Sequence, residues 1–171
     1  MIAALKFVAA SSAKKLWLYD TFSGMPPAED NHDFSYENKN ANLILQEEEV
    51  FKDSSVVWAI GPLDVVKNNL SMTGIPENQV VYIQGMIEET VPASNMPAAI
   101  SILRLDTDWY SSTLHELKYF YQLVSPGGFI IIDDYGHWDG ARKAVDEFLA
   151  QLPEKPFLHR VDYSCRVIQK P

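Results

Sequence analysis

The sequence predicts an α/β fold in which a mostly parallel sheet carries helices on both faces. Three observations lead there. Short apolar runs alternate with segments of helical spacing along the chain. Several of those runs are apolar throughout, as strands buried on both faces must be. Three of them end in aspartate, at the carboxyl ends where an open parallel sheet meets its ligands.

The elements follow in order. Residues 1–11 space Ile2, Leu5 and Ala9, with Phe7 and Val8 beside them, as an amphipathic helix does, and Ser11 and Ser12 mark its exit. Leu16-Trp17-Leu18-Tyr19 is a buried strand that ends at Asp20, and residues 21–27, with Gly24, Pro26 and Pro27, break it into a loop. Residues 29–42 are polar and rich in Asn and Asp, which reads as a long surface segment turning helical beyond Asn42. Residues 56–60 are strand-like in composition, but Gly61-Pro62 follows at once, so strand and loop stay open there; Val65, Val66 and Leu70 then have helical spacing. Residues 79–84 form a strand closed by Gly85, and residues 98–105 another that ends at Asp106. Leu114, Leu117, Phe120, Tyr121 and Val124 predict a helix over 111–124, stopped by Pro126-Gly127-Gly128 acting as a turn. Residues 129–132 are an apolar strand ending at Asp133-Asp134, and Ala144, Val145, Phe148 and Leu149 predict an amphipathic helix over 140–152. Residues 157–161 and 166–169 close the chain as an antiparallel pair around 162–165.

A chain of 171 residues suits one domain with a sizeable core. Its 23 acidic against 14 basic residues give a net charge of −9, which repels nucleic-acid phosphates and anionic lipid. No run reaches the roughly 20 apolar residues of a membrane span. The apolar opening is interrupted by Lys6 and lacks a cationic lead, which argues against a secretory signal. The single Cys165 allows neither an internal disulfide nor a cysteine-based zinc site, so a cytoplasmic protein is expected, with no nucleic-acid or membrane partner.

The chemistry gathers at the strand ends. Neighbouring parallel strands lie about 4.8 Å apart, so adjacent strands ending in Leu-Asp-Thr-Asp (105–108) and Ile-Ile-Asp-Asp (131–134) bring four carboxylates together. Such a cluster must raise its pKa values or bind a cation, and oxygen donors without a nearby thiol favour Mg²⁺ or Ca²⁺. The rival reading is that Asp106 and Asp133 merely cap the helices that follow. Asp20 stands where an acid can hold ribose hydroxyls, or where it can cap a loop. No glycine-rich dinucleotide or phosphate-binding loop occurs, and the four histidines show no ligand spacing, although His137-Trp138 lies just beyond Asp134.

Three stretches carry a family resemblance: Leu-Tyr-Asp-Thr-Phe-Ser-Gly-Met-Pro (18–26), Arg-Leu-Asp-Thr-Asp-Trp-Tyr-Ser-Ser-Thr (104–113), and Ser-Pro-Gly-Gly-Phe-Ile-Ile-Ile-Asp-Asp-Tyr-Gly (125–136) leading into Ala-Arg-Lys-Ala-Val-Asp-Glu-Phe (141–148). In order and interval they resemble the macrocin O-methyltransferase (TylF-like) family over nearly the whole chain. The resemblance implies a Rossmann-like class I methyltransferase sheet, S-adenosylmethionine as methyl donor, and Mg²⁺-dependent methylation of a small-molecule hydroxyl, typically on the sugar of a natural product. It implies Asp106, Asp133 and Asp134 as metal ligands, Asp108 as general base, Asp20 at the cofactor ribose, and Gly85 and Met86 beside the adenine. Family members carry a central strand and a glycine-rich loop before the helix that residues 1–11 resemble, so the expected fold lacks that first strand and loop. The N-terminal part of the family, which contributes to subunit contacts, is likewise expected to be missing here; a homo-oligomer is a separate expectation. Two other readings stay open on the residues alone. One is a glycosyltransferase whose Asp-Thr-Asp holds a metal and a nucleotide sugar, which leaves Asp133-Asp134 without a task. The other is a non-catalytic remnant of such an enzyme, or a binding module, that keeps the scaffold.

Overall fold

The computed structural model describes residues 14–28, 31–93 and 96–171. The helix expected over 1–11 lies outside them. The strands are β1 (Leu16–Asp20), β2 (Val80–Gln84), β3 (Ile100–Leu105), β4 (Val124–Ile132), β5 (Leu158–Arg160) and β6 (Arg166–Gln169). The helices are α1 (Ala41–Glu48), α2 (Leu63–Ser71), α3 (Ile87–Thr90), α4 (Tyr110–Phe120) and α5 (Asp139–Ala150). Among the described residues no helix is long and apolar enough to cross a membrane.

β1 and β2 pair in parallel, from Leu16 opposite Val80 to Asp20 opposite Gln84. A second sheet runs β3-β4-β6-β5, with β3 and β4 parallel and both remaining ladders antiparallel. The sheet is therefore mixed rather than mostly parallel, because the short return at 161–165 can only bring β6 back antiparallel to β5. β1 and β3 share no ladder among the described residues, so the strands stand in two sheets.

Alternation along the strands sets the core. Leu103 and Leu105 of β3, Ile130 and Ile132 of β4 and Ile168 of β6 point to one face and bury there against Leu117 and Phe120 of α4 and Val145 and Leu149 of α5. The opposite face presents Ile102 and Phe129, both exposed among the described residues. Two sequence expectations shift locally. Helix α4 ends at Phe120, a 3₁₀ turn takes Tyr121–Leu123, and β4 begins at Val124. Pro126-Gly127-Gly128 is thus not a turn between elements but a bulge inside β4: two steps along β3, from Ile100 to Ile102, oppose five along β4, from Val124 to Phe129. Residues 56–60 form no strand; Trp58 instead donates its indole N–H to the Leu45 carbonyl at 3.0 Å.

The polar segment before α1 departs most from expectation. It is not a free surface run, since Asp33 is 0% exposed and Ser35 is buried. The Asp33 Oδ1 accepts the Tyr110 backbone N–H at 2.8 Å, at the start of α4. The Phe34 carbonyl accepts the Asp139 N–H at 2.8 Å, and the His137 carbonyl accepts the Tyr36 N–H at 2.7 Å, which ties the segment to the start of α5. Two helix N-termini offer free N–H groups and positive ends of their dipoles, and a carboxylate lodged between them is stabilised. Gly140 makes room for it: a Cβ there would lie 1.9 Å from Asp33 Oδ1. Composition reads Asn and Asp as solvated; the helix ends that satisfy Asp33 lie far away in sequence.

Candidate active site

Asp20 ends β1, Gly85 and Met86 follow β2, and Asp106 follows β3; all four line one cleft at the carboxyl ends of the strands, together with Glu88 and Ser112. Gly85 adopts φ +140, open to glycine and strained for other residues, and its N–H reaches the Asp20 carbonyl at 3.0 Å. Asp20 is exposed, with Oδ1 accepting the Phe22 N–H at 2.6 Å. The loop-capping role is therefore real, and it leaves the second oxygen and the remaining lone pairs for another partner.

The carboxylates converge beside this cleft. Asp106, Asp108 and Asp134 each offer one oxygen within 4.8 Å of the others, while Asp133 is turned to Arg104. None of them caps a helix: the N-cap positions of α4 and α5 are Trp109 and Trp138, neither with a side-chain cap, and the capping acid at α4 is Asp33. The reading of Asp106 and Asp133 as mere caps is thus set aside. Asp108 sits at φ +65, a conformation uncommon for a residue with a side chain and a form of strain that concentrates at functional sites.

Burial and mutual repulsion set the electrostatics. Burial raises the Asp106 carboxyl well above the usual range, against the pull of Arg104. Asp108 is raised by burial, with hydrogen bonds from Asp134 and the Trp138 side chain working the other way. Asp134 is raised by burial and then by the charge of Asp108. Its Oδ2 is buried with no hydrogen-bond partner. An orphaned carboxylate oxygen among converging carboxylates fits a hard divalent cation, since oxygens sharing a centre at about 2.0–2.5 Å lie under about 5 Å apart.

Arg104, Thr107, Glu116 and Trp138 complete the site; Arg104 and Thr107 fall inside the stretch 104–113 without a part assigned to them, Trp138 follows His137 beyond Asp134, and Glu116 carries no local signal. Arg104 and Asp106 are two apart on an extended chain, so their side chains leave the same face; that period was the available signal. Thr107 Oγ1 donates to Glu116 Oε2 at 2.9 Å, which pins the middle of the Asp-Thr-Asp turn to α4. Burial pushes the Glu116 carboxyl up to about 8. Because its folded pKa stands above the unfolded value of 4.5, the folded chain holds an extra proton between pH 4.5 and about 8, and stability is lost as pH rises through that window. Glu116→Gln is expected to flatten the fall in melting temperature between pH 5 and 8, measured by circular dichroism in EDTA; an unchanged slope would assign the fall to other groups.

Comparison with known proteins adds the following. A family model described as Macrocin-O-methyltransferase (TylF) matches residues 1–170. The chain is 32% identical over 137 residues to the 8-demethyl-8-(2,3-dimethoxy-alpha-L-rhamnosyl)-tetracenomycin-C 4'-O-methyltransferase of Streptomyces olivaceus, over 80% of this chain and 48% of that protein. It is 33% identical over 136 residues to the mycinamicin III 3''-O-methyltransferase of Micromonospora griseorubida, over 79% of this chain and 49% of that protein. The chain spans about half the length of these curated relatives. Among solved structures, the O-methyltransferase NovP matches with a TM-score of 0.78 at 24% identity, over 99% of this chain and 65% of that one. The calicheamicin methyltransferase CalS11 matches at 0.73 and 17%, over 98% and 65%. The SAH-bound Podospora anserina methyltransferase PaMTH1 matches at 0.50 and 17%, over 64% and 56%. These likenesses establish the Rossmann-like methyltransferase fold.

Proposed function

The chain belongs to the macrocin O-methyltransferase (TylF) family, and from that premise we propose that it moves a methyl group from S-adenosylmethionine to a sugar hydroxyl of a natural product, with a divalent cation, Mg²⁺, at the carboxylates. The observation that carries the reading is the meeting of two features at one strand-end surface: the cleft lined by Asp20, Gly85 and Met86, and the convergence of Asp106, Asp108 and Asp134 at its edge. A glycosyltransferase reading gives Asp134 no task.

When bound, S-adenosylmethionine supplies a sulfonium methyl, and the cation supplies the charge that lowers the pKa of a nearby hydroxyl. Asp20 holds the ribose through its free lone pairs, and Gly85 and Met86 flank the adenine. Asp106 and Asp134 would hold the cation, and Asp133, which is turned to Arg104, would join them by giving up that pairing. Asp108 takes the acceptor's hydroxyl proton as the oxygen–methyl bond forms and the sulfur–methyl bond breaks. The Trp138 indole and the strained backbone at Asp108 fix the direction from which the proton is taken. Much of the acceleration comes from holding acceptor and methyl donor in attack geometry. The rings of Tyr36, His137 and Tyr163 cluster just beyond Asp134, with centroids 5.3 to 6.1 Å apart, and offer an aromatic surface for the body of a glycosylated acceptor. The relatives from S. olivaceus and M. griseorubida methylate natural products, the first of them rhamnosylated, which supports a sugar hydroxyl as the target.

The test is transfer of label from methyl-labelled S-adenosylmethionine to a panel of rhamnosylated phenols and macrolides. Label on a sugar oxygen, lost in EDTA and restored by Mg²⁺, is the expected result. No transfer to any member, or transfer indifferent to EDTA, contradicts it.

A further inference from the structure

We propose that Arg104 is a built-in competitor for the cation at the carboxylate cluster, setting how weakly that cation is held. The inference rests on the reading of Asp106, Asp133 and Asp134 as cation ligands and adds a residue which that reading leaves without a part.

Arg104 lies on β3, two residues before Asp106, and Asp133 follows β4, the parallel neighbour of β3. The ladder continues past the strand ends, since the Asp133 N–H donates to the Leu105 carbonyl at 3.0 Å. The guanidinium therefore stands over the junction of two strands and divides its donors between them. Nη1 pairs with Asp106 Oδ2, and Nη2 pairs with Asp133 Oδ2 at 2.8 Å. Two of the three proposed ligands are thus engaged by one fixed positive charge. The other nearby guanidinium, Arg166, spends its donors on the carbonyls of Asp162, Ser164 and Cys165, so among the described residues Arg104 is the basic side chain in ion-pair contact with the cluster.

Two consequences pull in opposite directions. The planar fork orients both carboxylates and offsets part of their repulsion, which favours the folded chain. A divalent ion drawn to these carboxylates meets a like charge a few ångströms away and must share Asp106 and Asp133 with it, which weakens its binding. The side chain is about 30% exposed, so solvent screens this repulsion only in part. Repulsion between an ion of charge two and a guanidinium at that distance outweighs the loss of orientation, so neutralising Arg104 tightens the site.

The experiment is calorimetric titration of Mg²⁺ into the EDTA-treated and dialysed chain, as wild type, Arg104→Gln and Arg104→Lys, with melting temperatures in EDTA and in Mg²⁺. Arg104→Gln is expected to lower the Mg²⁺ dissociation constant about tenfold or more. Arg104→Lys, which keeps the charge, stays within about threefold of wild type. Arg104→Gln melts below wild type in EDTA and gains the larger upward shift from Mg²⁺, a difference that a purely structural arginine would not produce. Should it fail to fold, Arg104→Met carries the same expectation. Equal or weaker Mg²⁺ binding by a folded neutral variant overturns the inference while leaving the cation reading intact. No saturable Mg²⁺ binding by wild type and neutral variant alike overturns both.

Discussion

Asp134→Asn is expected to weaken Mg²⁺ binding by about a hundredfold or more, beyond what a calorimetric titration detects as saturable. Asp134 brings to the cluster the one oxygen that is both buried and unpartnered, so it loses most from having no cation. The same change is expected to stabilise the chain in EDTA. Burial and the charge of Asp108 raise the folded pKa of Asp134 above its unfolded value, so the acid favours folding only when protonated. Its contribution is present at low pH and lost as pH rises toward the folded pKa. Asparagine removes that penalty at neutral pH. A variant that binds no Mg²⁺ yet melts higher than wild type in EDTA at pH 8 is the combined result, and a functional site that costs stability behaves in this way. Undiminished Mg²⁺ affinity in Asp134→Asn would remove Asp134 from the ligand set.

Asp108→Asn separates proton transfer from cation binding. Turnover should fall by about a hundredfold or more, as for loss of a general base, while Mg²⁺ affinity changes by less than about tenfold, because one neighbouring charge and no assigned ligand is removed. The pH profile gives a second readout. A rising limb of kcat/KM in wild type that vanishes in Asp108→Asn is the signature expected of its role as base. Collapse of Mg²⁺ binding together with turnover would instead make Asp108 a ligand, an arrangement that its oxygen, within 4.8 Å of those of Asp106 and Asp134, also permits.

Much of this site was legible because strand ends are legible. Apolar runs closing on Asp20, Asp106 and Asp133-Asp134 have few neighbours to consult, and the parallel pairing of β3 with β4 follows from the helix between them. Three features were not. Asp33 reads as surface because nothing local reveals that the N-termini of α4 and α5 will close around it. Pro126-Gly127-Gly128 has turn chemistry, and only the partner strand shows that it is a bulge within β4. Arg104 stood inside a recognised stretch, yet its role needs the cross-strand position of Asp133, which is a property of register and not of spacing.

The central claim, that this cleft takes the methyl donor beside a cation site, is tested most directly by titrating S-adenosylhomocysteine into the chain by calorimetry, with and without Mg²⁺. Saturable binding that weakens about tenfold in Asp20→Ala is the result the account predicts, since a carboxylate to ribose hydroxyls contributes charge-assisted hydrogen bonds. A folded chain that takes up no S-adenosylhomocysteine in either buffer, or binds it equally well as Asp20→Ala, would contradict it.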